Sequence, residues 1–197
     1  MAPPKSPRKG SLQYWPRKRI SKFLPSVNWS AIKDSKPLKG FIVYKAGMAT
    51  VQVKDSTADS MTHGKRIFLP VTILECPSMK IFSVRFYKHG SVRNELLGDN
   101  LDKELKRKLK LPKDLKNDFA KEIEKIKHEH YDDIRLICYS QPKKISLKKT
   151  PDLVEIGLSG SFQDKLNFAK EKVGKEIFIS DIFEKGNLVD SRGLTKG

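Results

Sequence analysis

The first forty residues limit what this chain can fold into, because they hold ten Lys or Arg against a single acid, Asp34. Pro3, Pro4, Pro7, Pro16 and Pro25 interrupt the same stretch. Such a segment cannot bury enough apolar area to offset the entropy of ordering its backbone, so by itself it is expected to be extended and to fold only against a polyanion. The prolines also remove the amphipathic helix that an Arg-rich organellar transit peptide needs. Inside the stretch, Tyr14 and Trp15 are wedged between the basic clusters Arg8-Lys9 and Arg17-Lys18-Arg19.

The remainder can support a core. With 197 residues, 38% of them hydrophobic and ten of them Phe, a folded chain would bury about 70% of its unfolded surface. The net charge of +17 and pI near 9.8 are extreme for an enzyme of small metabolites and point to a polyanionic partner. Cys76 and Cys138 are too few for a disulfide framework or a four-cysteine zinc site, and read as small buried hydrophobes in a reducing compartment. No run approaches the ~18 apolar residues of a membrane span, and the first thirty residues lack a signal peptide's apolar middle. An intracellular, soluble protein is expected.

Periodicity predicts a mainly β chain with an α insertion, an α+β class. Four regions are expected: a basic tail over 1–37, strands over 38–99, a helical insertion over 100–131, and further strands over 132–197. Phe41–Tyr44 and Ala49–Val53 read as a hairpin turning at Lys45–Met48, followed by a polar loop over Asp55–Lys65. Arg66–Cys76 reads as a long apolar strand with Pro70 marking an edge or bulge, and Met79–Tyr87 as an alternating one with Phe82, Val84 and Phe86 on one face. Leu101, Leu105 and Leu109 form one helical stripe before Pro112; Leu115, Phe119, Ile123 and Ile126 form a second. Between Glu95 and His130, ten bases nearly cancel nine acids, with pairs such as Glu122 and Lys125 at i,i+3, so this insertion is expected to be the part least suited to phosphate. Strands at Asp133–Ser140, Val154–Leu158 and Ile177–Ile179 flank a helix over Ser161–Val173 capped by Gly174.

Tests for catalysis come back empty. His128, Glu129, His130, Asp132 and Asp133 are the one dense metal-capable set, but a zincin helix needs histidines four apart, and these are two apart and point in opposing directions. A metal-dependent nuclease built on His128, His130 and Asp132 is the alternative from another class, and a basic module for acidic chaperones or anionic lipid is a third. No Walker loop and no G-x-G-x-x-G is present, and the carboxylates lie among lysines. No cofactor or metal is expected. Arginine holds phosphate bidentately and stacks on bases, and Tyr14 and Trp15 can stack on unpaired bases for about 1 to 3 kcal/mol each, which suits RNA better than a membrane or duplex DNA. The other reading docks those two rings on the protein's own sheet. A second basic cluster, Lys143, Lys144, Lys148 and Lys149, fills a loop between Pro142 and Pro151.

Several strings in order then resemble one family: Arg8-Lys9-Gly10-Ser11-Leu12 with Pro16-Arg17-Lys18-Arg19, Tyr44-Lys45-Ala46-Gly47-Met48, Pro70-Val71-Thr72 with Glu75, and Gly193-Leu194-Thr195-Lys196-Gly197. Together they are similar to the ribosomal protein L-three family of the large subunit, in its archaeal or eukaryal form. The resemblance implies a six-stranded closed β-barrel of the translation-protein type, a structural rather than enzymatic role, direct binding of large-subunit rRNA, help in nucleating subunit assembly, neighbouring ribosomal proteins as partners, and a cytoplasmic place in the ribosome. It carries family rRNA contacts onto Arg8, Lys9, Gly10, Ser11, Arg17, Lys18, Arg19, Lys196 and Gly197. With the stacking pair, the Lys143–Lys149 cluster and the further basic positions Lys22, Lys45 and Arg192, these make up the expected rRNA-binding set. In the family, Thr-Lys-Gly opens a long loop, a finger toward the catalytic centre and the strands that close the barrel. The barrel is therefore expected to be incomplete here, with a second chain as a possible source of the rest, and no influence on the peptidyl-transferase centre is assigned to any residue present.

Overall fold

β-Branched and aromatic runs become two separate antiparallel sheets, one of two strands and one of five. The computed structural model describes Gly10 and residues 22–33, 36–112, 119–126 and 130–194. The chain divides into a unit spanning Asn28–Gly186 and another made of 1–27 with 187–197. In the latter, the described residues contain no helix or strand. No closed barrel forms among the described residues, so the observed class is α+β with open sheets.

The two-stranded sheet is a ribbon of β1 (Tyr44–Lys54) and β2 (Arg66–Glu75), joined by the polar loop expected over Asp55–Lys65. The expected turn at Lys45–Met48 does not occur. The chain runs straight through it, and Gly47 marks a β-bulge between Lys45 and Gly47, where a missing Cβ helps the strand kink without reversing. Pro70 sits opposite Thr50 and is tolerated because a two-stranded ribbon consists of edges. Register places Gly47, Ala49, Val51 and Val53 beside Ile73, Val71, Leu69 and Ile67 on one face, all apolar. Val51, Leu69 and Ile73 remain exposed there.

The larger sheet has the order β4-β3-β5-β6, with β3 at Met79–Lys88, β4 at Ser91–Leu97, β5 at Asp133–Ser140 and β6 at Leu153–Gly157. The sequence reading missed β4, whose Arg93-Asn94-Glu95 centre hides strand character. What creates it is the turn His89-Gly90, both at positive φ (51° and 73°), which suits a two-residue hairpin. The alternation read along β3 also needs correcting: a register shift between Ile81 and Ser83 moves the buried set from Met79 and Ile81 to Val84 and Phe86. Beyond it Val84 and Phe86 pair with Leu136 and Ile134, and Leu136 with Ile156, giving one fully buried apolar face.

Among its described residues, the expected helical insertion forms only short helical segments. Its first stripe gives only a 3-10 turn at Lys103–Arg107, because Lys103, Lys106, Arg107 and Lys110 repel at i,i+3 and i,i+4 spacing; Leu105 is nevertheless completely buried. The second stripe gives α1 (Phe119–Glu124), which buries Phe119 and Ile123, while Leu115 lies outside the described residues. α2 (Phe162–Lys172) starts as expected, with Ser161 and Asp164 forming a capping box. The last strand shrinks to β7 (Glu176–Ile177), paired to the start of β3. Trp29 locks the entering chain onto β6: its indole N–H donates to the Glu155 carbonyl at 2.8 Å, and its ring fills a slot where Gly40 and Gly157 have no side chain.

Candidate nucleic-acid interface

The 143–149 loop owes its shape to backbone hydrogen bonds rather than to a regular element. After β5 ends, the amides of Lys144, Ser146 and Leu147 donate to the carbonyls of Gln141, Lys143 and Pro142 at 3.1 Å each, and Ser146 takes a φ of 55°. Ser78 anchors its base by donating to the Gln141 side-chain oxygen at 2.6 Å. The loop therefore presents its lysines from a fixed frame.

Three of those lysines already meet a carboxylate. Lys143 reaches Glu104 at 2.6 Å, Lys144 reaches Glu176, and Lys148 reaches Asp152. Asp152, only 8% exposed at its side chain, also accepts from the Tyr44 hydroxyl at 2.6 Å and faces Lys108 at 3.6 Å. Burial alone would push its carboxyl up, but Lys148, the Tyr44 hydroxyl and Lys108 outweigh it and hold the group below the usual carboxylate range. The same pocket drives the Tyr44 hydroxyl far above its ordinary value, by burial first and the hydrogen bond to Asp152 after it. Lys149 is exposed and has no carboxylate partner among the described residues.

Sequence reasoning passed over the segment next to this loop. Lys106, Arg107, Lys108, Leu109, Lys110 and Leu111 line a shallow groove. It is held against the loop by the Glu104–Lys143 pair and by Asp152, which Lys108 and Lys148 share. Asp102 anchors the segment's start, accepting from Lys80, Tyr139 and Gln141 at 2.9, 3.0 and 2.9 Å. The sequence signal was present as five cations against Glu104 between Lys103 and Lys110, but a charge count over the whole insertion averaged it away.

Of the other expected contacts, Lys45 lies exposed on β1, Lys22 and Arg192 are exposed, and Gly10 is exposed at a φ of 87°. Arg8, Lys9, Ser11, Tyr14, Trp15, Arg17, Lys18, Arg19, Lys196 and Gly197 lie outside the described residues. So do His128 and Glu129 of the metal-capable set, whereas the Asp132 carboxylate accepts from the His89 amide at 2.7 Å and braces the β3–β4 turn. Among the described residues no His, Cys, Asp and Glu group is arranged to hold a metal, and no helix is long and apolar enough to cross a membrane.

The family profile described as Ribosomal protein L3 matches residues 1–197. The chain belongs to the Ribosomal protein L3 family. It is 38% identical over 198 residues to large ribosomal subunit protein uL3 of Methanocaldococcus jannaschii, covering 97% of this chain and 59% of the relative. The uL3 proteins of Methanobrevibacter smithii (40% over 199 residues, 97% of this chain) and Nanoarchaeum equitans (35% over 198 residues, 98%) are likewise covered over 59% of their length. Two of the L3-like strings turn out to be partners in space: Tyr44 stands opposite Glu75, and Met48 opposite Thr72, across the β1–β2 ribbon.

Proposed function

We propose that the protein is a structural, non-enzymatic constituent of the large ribosomal subunit that binds large-subunit rRNA directly and helps nucleate subunit assembly in the cytoplasm. The observation that carries this reading is the L3 family match over residues 1–197 in a chain with net charge +17. The tail from Arg8 to Lys22 supplies guanidinium groups and the Tyr14-Trp15 stacking pair. Lys45, the Lys143–Lys149 loop and the stretch from Arg192 to Gly197 supply further contacts. Neighbouring large-subunit proteins are its other partners.

The barrel belongs to this reading too. The ribbon's apolar pairs, from Gly47 and Ile73 to Val53 and Ile67, support a role as two strands of a closed six-stranded barrel, for which a second chain is one source of further strands. A binding titration against a large-subunit rRNA fragment tests the main claim. If six to ten phosphates are neutralised, log affinity falls with log salt at a slope of roughly −4 to −9. Binding indifferent to salt, or absent, would overturn it.

A further inference from the structure

The groove lined by Lys106, Arg107, Lys108 and Lys110 lies in the segment whose charge balance looked least suited to phosphate, and its electrostatics differ from those of the neighbouring loop. Lys143, Lys144 and Lys148 each spend their charge on a carboxylate of the protein. Lys106, Arg107 and Lys110 have no carboxylate partner among the described residues, and Lys106 and Lys110 are three and four residues from like charges with which no folded isolated helix would place them comfortably. Yet the segment is not loose. Leu105 is fully buried beside them, and Asp102, Glu104 and Asp152 fasten both sides of the run to the 139–152 region.

A repulsive cationic run held rigidly in place is a surface whose counter-charge is external. We propose that this groove is a further rRNA site, separate in sequence from the basic tail and from the Lys143–Lys149 loop, where Lys106, Arg107 and Lys110 grip the phosphate backbone. The inference rests on the rRNA-binding reading above. Charge complementarity selects the partner. A ridge of one Arg flanked by lysines matches closely spaced phosphates, the Arg bidentately and the lysines as point charges, while Leu109 and Leu111 of the groove wall are only partly exposed. Lys108, which faces Asp152 at 3.6 Å, holds the segment in place rather than gripping the ligand. The carboxylates that fasten the run, Glu104 and Asp152, are already matched by lysines, so they do not cancel the ridge.

The test uses the full chain, a large-subunit rRNA fragment and salt titrations. The variant K106Q/R107Q/K110Q should lower the magnitude of the salt slope by roughly 2 to 3 and weaken binding on the order of 50- to 150-fold at 0.15 M salt, with an unchanged melting temperature. A control of equal charge loss at exposed lysines elsewhere, K170Q/K175Q/K185Q, should change the slope much less; an equal drop in both variants would overturn the assignment. Wild-type affinity and slope in the groove variant would overturn it while leaving the rRNA-binding reading intact, whereas a wild-type chain that fails to bind would remove both. If the groove variant kept rRNA but lost binding to poly-glutamate, the ligand would be an acidic polypeptide and the RNA assignment would fall. Lysine acetylation of the wild-type complex, read by mass spectrometry, gives an answer independent of variant folding: bound rRNA should protect Lys106 and Lys110 but not Lys170, and unprotected groove lysines would overturn the site.

Discussion

Arg85 and Arg135 stand directly opposite each other on the adjacent antiparallel strands β3 and β5. Like charges in that position repel, and the sheet tolerates them because Glu155 on β6 takes both guanidinium groups, at 3.1 and 3.0 Å, while also accepting from the Tyr87 hydroxyl at 2.8 Å. Arg135 lies over the Tyr87 ring at 4.2 Å, and Glu95 holds the other side of Arg85 at 2.9 Å. These basic residues are thus neutralised within the protein, which separates them from the unmatched cations of the groove. Glu155→Gln leaves two half-buried guanidiniums facing each other and should cost about 1 to 3 kcal/mol, read by urea denaturation. A loss below about 0.5 kcal/mol would mean that solvent already screens the pair.

Two glycines give a paired test of packing. A Cβ on Gly157 would lie 2.7 Å from the Trp29 Cβ and 3.0 Å from its Cγ, atoms too close to the backbone to move aside, whereas a Cβ on Gly47 meets nothing within 4 Å. Gly157→Ala should therefore cost about 1 to 3 kcal/mol through overpacking, and Gly47→Ala should stay within about 0.5 kcal/mol of the parent. Equal losses in thermal melts would show that Trp29 is not locked in its slot.

How much of this was legible beforehand depended on whether a local pattern settled the outcome. β5 and α2 were, because a short apolar run of Ile134, Leu136, Ile137, Cys138 and Tyr139 ended by Gln141-Pro142 and a Ser-x-x-Asp start leave few alternatives. β1 was misread at Gly47, since a glycine permits a bulge as readily as a turn and only pairing with β2 decides between them. β4 was invisible because its strand status comes from the neighbouring β3, not from its own Arg-Asn-Glu centre. The groove escaped for a related reason: a run of cations reads as a solvated helix face until the buried Leu105 and the Asp102 and Asp152 anchors show it to be fixed.

Acid should expose the Asp152 anchor. A carboxyl whose folded pKa is depressed contributes stability above its unfolded value near 4, and loses that contribution as pH falls through the lower folded value. Melts from pH 6 down to pH 2 should therefore show a steeper loss for the parent than for Asp152→Asn, which carries no titrating group there and starts from lower stability at pH 6. Parallel pH profiles would mean that Lys148, Tyr44 and Lys108 do not set the ionisation of this site.

The ribbon carries the last expectation. Val51, Leu69 and Ile73 are 38%, 44% and 50% exposed within an apolar run that ends at Glu75 on the same face, an arrangement that soluble monomers seldom leave uncovered. The isolated chain should bind an apolar-surface dye such as ANS, and Leu69→Thr with Ile73→Thr should reduce that fluorescence by removing the face while keeping strand propensity. Because neither side chain is buried, the melt should shift by no more than about 0.5 kcal/mol. Unchanged dye binding would place the chain's sticky surface elsewhere, and a large stability loss would show the ribbon to be packed in solution.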